Sequence, residues 1–196
     1  MKRMNKKVIG VAGTNGSGKD TVMGLLRDNH GYLFVSATDL LATELERRGD
    51  PTDRQHKAAL SAEWRREHGM GVIVKKAYES WKLRAEQYPN GVVVGSLRHP
   101  GEVDEVHALD GIVVWVDADA KVRYDRIQSA NRGRAIEDAV SFERFLEDEA
   151  REMHPSGDAA TLDMASVKDR ADLFLDNGGE DIAVFQQTVE EKLIKS

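Results

Sequence analysis

The stretch VIGVAGTNGSGKDTVMGLL, residues 8–26, decides how this chain is read. Val8, Ile9, Val11 and Ala12 form a short apolar run of the kind a buried strand needs, and residues 21–26 (TVMGLL) open a helical pattern. Between them, GTNGSGKDT at 13–21 sets Gly13, four free positions, Gly18 and Lys19, the spacing of a phosphate-binding loop. Glycines at 13, 16 and 18 let the backbone turn its N–H groups inward into an anion-sized nest that a Cβ would crowd. The following helix points its positive end at the same spot. Lys19 adds a mobile cation for the β- and γ-phosphates. The candidate cradle for a nucleoside triphosphate is therefore Gly13, Thr14, Asn15, Gly16, Ser17, Gly18, Lys19, Asp20 and Thr21.

One position departs from the common form. Most such loops carry Ser or Thr directly after the lysine to ligate magnesium, whereas here Asp20 follows and Thr21 comes one step later. Two readings of Asp20 coexist. Its carboxylate holds Mg²⁺ through a water, since that ion keeps much of its hydration shell, or its charge simply favours the first helical turn. Asp20 and Thr21 are the candidate metal residues.

Composition narrows the class. The 196 residues are 40% hydrophobic and 32% charged, which suits one globular α/β domain with a proper core. A net charge of −6 without a long basic block gives no support to a nucleic-acid or anionic-membrane surface. MKRMNKK at the start is basic but runs straight into the first strand rather than into a signal-type apolar region. No stretch approaches the roughly 18 apolar residues of a membrane span. There is no cysteine, and the six histidines show no metal-binding spacing. The expectation is a cytoplasmic enzyme with a small-molecule partner.

Five apolar segments bounded by turn signals read as strands, at residues 7–12, 32–35, 92–95, 112–116 and 173–175. Helical patterns lie between them, and this alternation predicts an α/β fold with a parallel five-stranded sheet covered by helices on both faces. Purely apolar runs such as VVV (92–94) and IVVWV (112–116) are what a sheet buried on both faces requires. No internal repeat appears, so residues 1–196 read as a single domain. Residues 37–91 and about 120–168 are longer than simple crossovers and read as functional insertions. Ligands of such sheets bind outside the carboxyl ends of the strands, so chemistry is sought there.

After the second strand, Asp39 has two readings. It orients or deprotonates an acceptor oxygen, or contacts magnesium in the outer shell; otherwise it is a helix N-cap shared with Thr38. After the third strand, Arg98 either forks onto a phosphate or pairs with Glu102 or Asp104. Position 95, where related sites carry an acid, is glycine. Asp117, after the fourth strand, reads as a turn residue.

Farther on, residues 121–134 hold Arg123, Arg126, Arg132 and Arg134, and the first two share a helix face. They either form a cationic lid for a transferring phosphoryl group or a solvated basic face beside the acidic run EDEARE. Glu143, Glu147, Asp148 and Glu149 read as exposed carboxylates without a catalytic role. Arg65, Arg66, Lys75 and Lys76 are candidates to line an acceptor pocket. Trp64, Tyr78 and Trp81 read as core rather than as base-stacking groups.

With these residues assembled, the chain resembles P-loop kinases of the nucleoside-monophosphate-kinase type. Within that group it is similar to dephospho-CoA-kinase-related nucleotide kinases and to phage-type deoxynucleoside monophosphate kinases. The resemblance runs from Val8 to about Gly178 and rests on GTNGSGKDT, SATDLL, WRREHG, GSLRHPGEVDEV, RYDRI and DNGG. It implies a three-layer P-loop NTPase fold with acceptor-binding and lid insertions. Lys19, Asp39 and Arg126 are implied as catalytic, Asp39, Arg65 and Arg98 as acceptor-binding, and Arg126, Arg132 and Arg134 as lid residues. The DNGG loop (176–179) is implied to lie near the adenine.

ATP and Mg²⁺ are the implied cofactors. The implied acceptor is a (deoxy)nucleoside monophosphate, with the ribose hydroxyl of dephospho-CoA as the alternative. The chain departs from these families at Ala42, where adenylate kinases carry an arginine, and at Gly95, where an aspartate is usual. Those two departures support a different reading, a nucleotide-binding regulator without transfer activity. A GTPase has no support, because no NKxD motif is present.

Overall fold

The structure, a computed structural model, describes residues 6–129, 140–155, 157–179 and 181–195. Strands Val8–Gly13 (β1), Leu33–Ser36 (β2), Val92–Leu97 (β3), Ile112–Asp117 (β4) and Leu173–Asp176 (β5) form one sheet in the order β2-β3-β1-β4-β5. Every pairing is parallel. Each strand runs one or two residues past its apolar run, because the ladder continues into polar or small residues at the carboxyl end. Those end residues build the site. The chain winds outward from β1 to β2, returns to β3, and then crosses to β4. The crevice therefore opens at the carboxyl end of β1, between β3 and β4.

Alternation along the strands divides the core in two. Val8, Val92, Val94, Val113 and Trp115 face one layer, in which Leu41, Leu60, Trp64, Ile73, Val103 and Val167 pack. Ile9, Val93, Val114 and Val116 face the other, with Val22, Leu26, Phe185 and Leu193. The first layer is made by helices Ala37–Arg48 (α2), Arg54–His68 (α3), Val72–Lys82 (α4), Pro100–Ala108 (α5) and Met164–Asp169 (α8). The second is made by Lys19–His30 (α1) and Ile182–Val189 (α9), the latter ending in a π turn over Glu190–Ile194. Trp64 is core, with Tyr78 and Trp81 packed against it. Ala120–Ser129 (α6) and Phe142–Met153 (α7) stand over the phosphate loop. Arg132 and Arg134 lie outside the described residues.

Local chemistry fixes where the helices start. Asp39 is not the cap of α2: Ser36 Oγ accepts the Asp39 amide at 3.2 Å, and Ser36 is the N-cap. α5 begins with a capping box in which the His99 side chain accepts the Gly101 amide and Glu102 reaches back, with Pro100 in the first turn. Among the described residues, no helix is long and apolar enough to cross a membrane.

Candidate active site

The loop glycines are required one by one. Gly13, Gly16 and Gly18 have φ of 144, 78 and 95°, a region that L side chains avoid. A Cβ on Gly13 would meet the Val116 carbonyl oxygen at 2.0 Å, and one on Gly18 would meet Asn177 Nδ2 at 2.2 Å. Lys19 Nζ donates to the Thr14 carbonyl at 2.6 Å, folded over the loop it serves. Burial, and then the neighbouring Arg98 cation, lower the Lys19 pKa from 10.5 to about 8, while Asp20 and Glu152 pull the other way.

Three struts hold the loop from outside. Asp117 is not a simple turn residue. Its Oδ1 accepts the Thr14 hydroxyl at 2.7 Å, and its carboxylate also takes the Trp115 indole and Lys168, both at 3.2 Å. Burial pushes the Asp117 carboxyl up, but the hydrogen bonds from Thr14, Trp115, Ala118 and Lys168 prevail and hold it below the usual range. Arg123, only 4% exposed, donates to the carbonyls of Ala118 at 2.8 Å and Asn15 at 3.3 Å. Its far edge grips Glu149 with both terminal nitrogens. Asn177, in the DNGG loop, donates to the Ser17 carbonyl at 2.9 Å.

Beside the loop lies a cavity of about 690 Å³. Its wall includes Lys19, Asp20 and Thr21 from the loop, Asp39 from α2, Arg54 and Lys57 from α3, and Ser96 and Arg98 from the end of β3. Asp39 is exposed, and its carboxylate has no hydrogen bond or ion pair among the described residues. Ser96 sits in a β-bulge, since Val11 pairs with Gly95 but Ala12 with Leu97, and its φ is 67°. Gly95 has no room for a side chain: a Cβ would meet Met23 Sδ at 2.3 Å and Phe34 at 3.0 Å. The bulge thus turns Ser96, not position 95, toward the cavity.

Arg65 reaches the cavity only as part of its floor. Both its side chain and that of Glu102 are 2% exposed, and they pair at 2.7 Å. Arg65 also donates to Ser61 Oγ at 3.2 Å and the Ala160 carbonyl at 3.0 Å. The other Glu102 oxygen accepts the backbone amides of Arg98 at 2.7 Å and His99 at 3.2 Å. Through Glu102, Arg65 fixes the start of α5 and the backbone of Arg98, while its Nε, at the cavity floor, has no hydrogen-bond partner among the described residues. Lys75, Lys76 and Arg66 lie off the cavity wall; Lys75 pairs with Glu105, Lys76 covers the Trp64 ring, and Arg66 pairs with Asp158.

Arg98 pairs with neither Glu102 nor Asp104 through its side chain. Its Nη1 meets Glu152 Oε1 at 2.7 Å, and Arg54 Nε donates to the same oxygen at 2.9 Å. Burial pushes the Glu152 carboxyl up, but the two guanidiniums hold it below the usual carboxylate range. So the acidic run at 147–152 is not all solvated: Glu149 and Glu152 turn inward with Phe145, while Glu147 and Asp148 pair with Arg144 and Arg151 on the outside. The signal for this was the spacing of Phe145, Glu149 and Glu152, which puts one aromatic and two acids on one helix face.

Arg126 lines the cavity, donating Nη2 to the Gly179 carbonyl at 2.8 Å. Its Nη1 is buried and lacks a hydrogen-bond partner among the described residues. For a metal, the wall offers the oxygens of Asp20, Thr21, Asp39 and Ser96, but no cluster of three His, Cys, Asp or Glu exists among the described residues. That donor set fits a hydrated Mg²⁺ shared with phosphate oxygens rather than a protein-built cage.

No protein-family model matches the chain. A UPF0200 protein from Pyrobaculum aerophilum is 32% identical over 190 residues, which span 96% of this chain and 97% of that protein. A UPF0200 protein from Thermococcus gammatolerans is 27% identical over 197 residues, 96% of each chain. In structure, the chain is similar to TT1252 from Thermus thermophilus, with a TM-score of 0.58 and 22% identity over 95% of both chains. It is also similar to shikimate kinase from Bacteroides thetaiotaomicron, with a TM-score of 0.56 and 15% identity over 95% of this chain and 97% of that one. These likenesses establish a P-loop kinase-type fold.

Proposed function

The chain belongs to the UPF0200 family, and we propose that it is an ATP- and Mg²⁺-dependent phosphotransferase acting on a nucleotide, a (deoxy)nucleoside monophosphate. The observation that carries this reading is that one cavity joins the loop lysine, a carboxylate without a partner and a guanidinium: Lys19, Asp39 and Arg98. Residues 1–196 then serve as a single kinase domain, with 37–91 on the acceptor side and about 120–168 as the lid region.

Phosphoryl transfer asks a protein mainly for positioning and for cations around the transferred group. In this reading the loop amides and Lys19 hold the β- and γ-phosphates, and Arg98 holds the acceptor phosphate. Arg126 carries an unpaired buried N–H group to the same cavity and neutralises charge on the transferring group. Asp39 orients the acceptor oxygen; a monophosphate is already ionised at neutral pH and needs no general base. Bound Mg²⁺ would neutralise charge between the β- and γ-phosphates, held by Thr21 and Asp20 directly or through water.

The test is a screen of acceptor-stimulated ADP release from Mg-ATP, with nucleoside monophosphates, deoxynucleoside monophosphates, dephospho-CoA and shikimate as acceptors. Stimulation by monophosphates is expected. Stimulation by dephospho-CoA alone would move the acceptor to a ribose hydroxyl. Tight ATP binding with no stimulation by any acceptor would replace the enzyme by a nucleotide-binding regulator.

A further inference from the structure

Three donors from two guanidiniums converge on a single oxygen, Glu152 Oε1: Arg98 Nη1 at 2.7 Å, Arg54 Nε at 2.9 Å, and Arg54 Nη2. The second oxygen of Glu152 has no hydrogen-bond or ion-pair partner among the described residues. Two guanidinium groups thus bring a concentration of cationic donors to this corner of the cavity wall. Lys57 adds to it: it lies one turn beyond Arg54 on α3, lines the same cavity, and its ammonium has no partner among the described residues. The arrangement suits an anion with more charge and more oxygens than a carboxylate has. A phosphomonoester dianion meets both needs, because two guanidiniums can each fork onto it.

Glu152 is also placed to leave. It is the penultimate residue of α7 (Phe142–Met153), in the last turn of a helix that packs through Phe145 and Glu149 farther back. A rotamer change there breaks no backbone hydrogen bond. Moreover, Arg54 and Glu152 line both the cavity of about 690 Å³ and a second one of about 410 Å³ behind the phosphate loop, so their pair is part of the wall between the two.

We propose that Arg54 and Arg98 form the anion subsite for the acceptor, and that Glu152 fills it in the free protein as an internal carboxylate which the acceptor's phosphate displaces. Only the identity of the anion as an acceptor rests on the phosphotransferase reading; the exchange of carboxylate for phosphate stands on the contacts themselves. Binding is then weaker than the arginines alone would support, because each acceptor must first break the pairs of Glu152. The same step keeps the two arginines from capturing stray anions.

The experiment titrates inorganic phosphate into the full chain, with the phosphate loop first saturated by the non-hydrolysable β,γ-imido analogue of ATP, and reads affinity by calorimetry. Glu152→Gln removes the competing charge and is expected to bind phosphate about tenfold more tightly than the unaltered chain. Adding Arg54→Gln to Glu152→Gln should erase that gain, which assigns it to this subsite and not to the loop. Thermal unfolding of each variant is recorded alongside. If Glu152→Gln does not fold, Glu152→Asp, which keeps the charge but shortens its reach, enters the same comparison with a smaller gain expected. Equal phosphate affinity in a folded Glu152 variant and the unaltered chain overturns the proposal, and so does a gain that survives Arg54→Gln. Failure of the imido analogue to bind would instead count against the phosphotransferase reading; the phosphate comparison, run without it, still decides the exchange.

Discussion

The guanidinium of Arg65 and the carboxylate of Glu102 meet at 2.7 Å with both side chains 2% exposed. Such a pair contributes little net stability against apolar replacements, but removing one partner strands the other charge in the core. Arg65→Met is therefore expected to cost about 3–5 kcal/mol of unfolding free energy, read by urea denaturation. A cost below about 1 kcal/mol would mean that Glu102 stays satisfied without Arg65. That outcome would favour Arg65 as an acceptor ligand.

Asp117 reaches the phosphate loop through the Thr14 hydroxyl and lies 3.6 Å from Arg123, which holds the loop at Asn15. Asp117→Asn preserves size but replaces a charged acceptor by a neutral one, which weakens the hold on the Thr14 hydroxyl and on Lys168. Affinity for the ATP analogue should fall about tenfold, with the chain still folded by circular dichroism. Unchanged affinity would show that the loop keeps its shape without this strut.

Two glycine substitutions are expected to move stability in opposite directions. At Gly13 an added Cβ would lie 2.0 Å from the Val116 carbonyl oxygen in a left-handed region of φ. Gly13→Ala should therefore destabilise by more than about 3 kcal/mol, or abolish soluble expression. At Gly24, inside α1, the nearest atom to an added Cβ is Asp28 Oδ2 at 4.0 Å. Gly24→Ala should raise stability by about 0.5–1 kcal/mol through the lower entropy of its unfolded chain. Chemical denaturation of both variants checks the pair, and destabilisation by Gly24→Ala would contradict the open space seen there.

The lowered pKa of Lys19, about 8, links phosphate binding to protons. Near pH 8 the free loop lysine is about half protonated, and a bound triphosphate favours the charged form. Binding should therefore take up about half a proton at that pH, measured as a dependence of binding enthalpy on buffer ionisation. Lys19→Arg, always charged, should bind without uptake. Between pH 8 and 10.5 the unfolded chain keeps a proton that the folded chain has released. The contribution of Lys19 to stability thus rises with pH across that window and is flat below it. Absence of proton uptake in the unaltered chain would contradict the depressed pKa.

Much of the site was legible along the chain because its logic is local. Glycine spacing at 13, 16 and 18 specifies a backbone shape, and the apolar runs before and after it specify a strand and a helix. The carboxyl ends of β1, β2 and β3 then lead directly to Lys19, Asp39 and Arg98, which do line one cavity. What misled was charge. Arg65 is paired with Glu102 at the cavity floor, a partner the sequence reading did not foresee, while Glu149 looked solvated and proved to hold Arg123. The type of a charged residue says nothing about which opposite charge the fold will bring to it.

The sequence by itself determined the phosphate loop, the five parallel strands and the end of the sheet where chemistry belongs, since all three follow from short-range backbone preference and apolar periodicity. Only the tertiary structure decided the partners. Thr14 meets Asp117 across 103 residues, Arg54 meets Glu152 across 98, and Arg65 meets Glu102 across 37. The physical reason is that ion pairs are chosen by proximity and burial after the layers have packed, and many pairings along a chain rich in both signs satisfy the same local rules. That choice turned Glu152 of an acidic helix into the cavity wall and Arg65 into its floor.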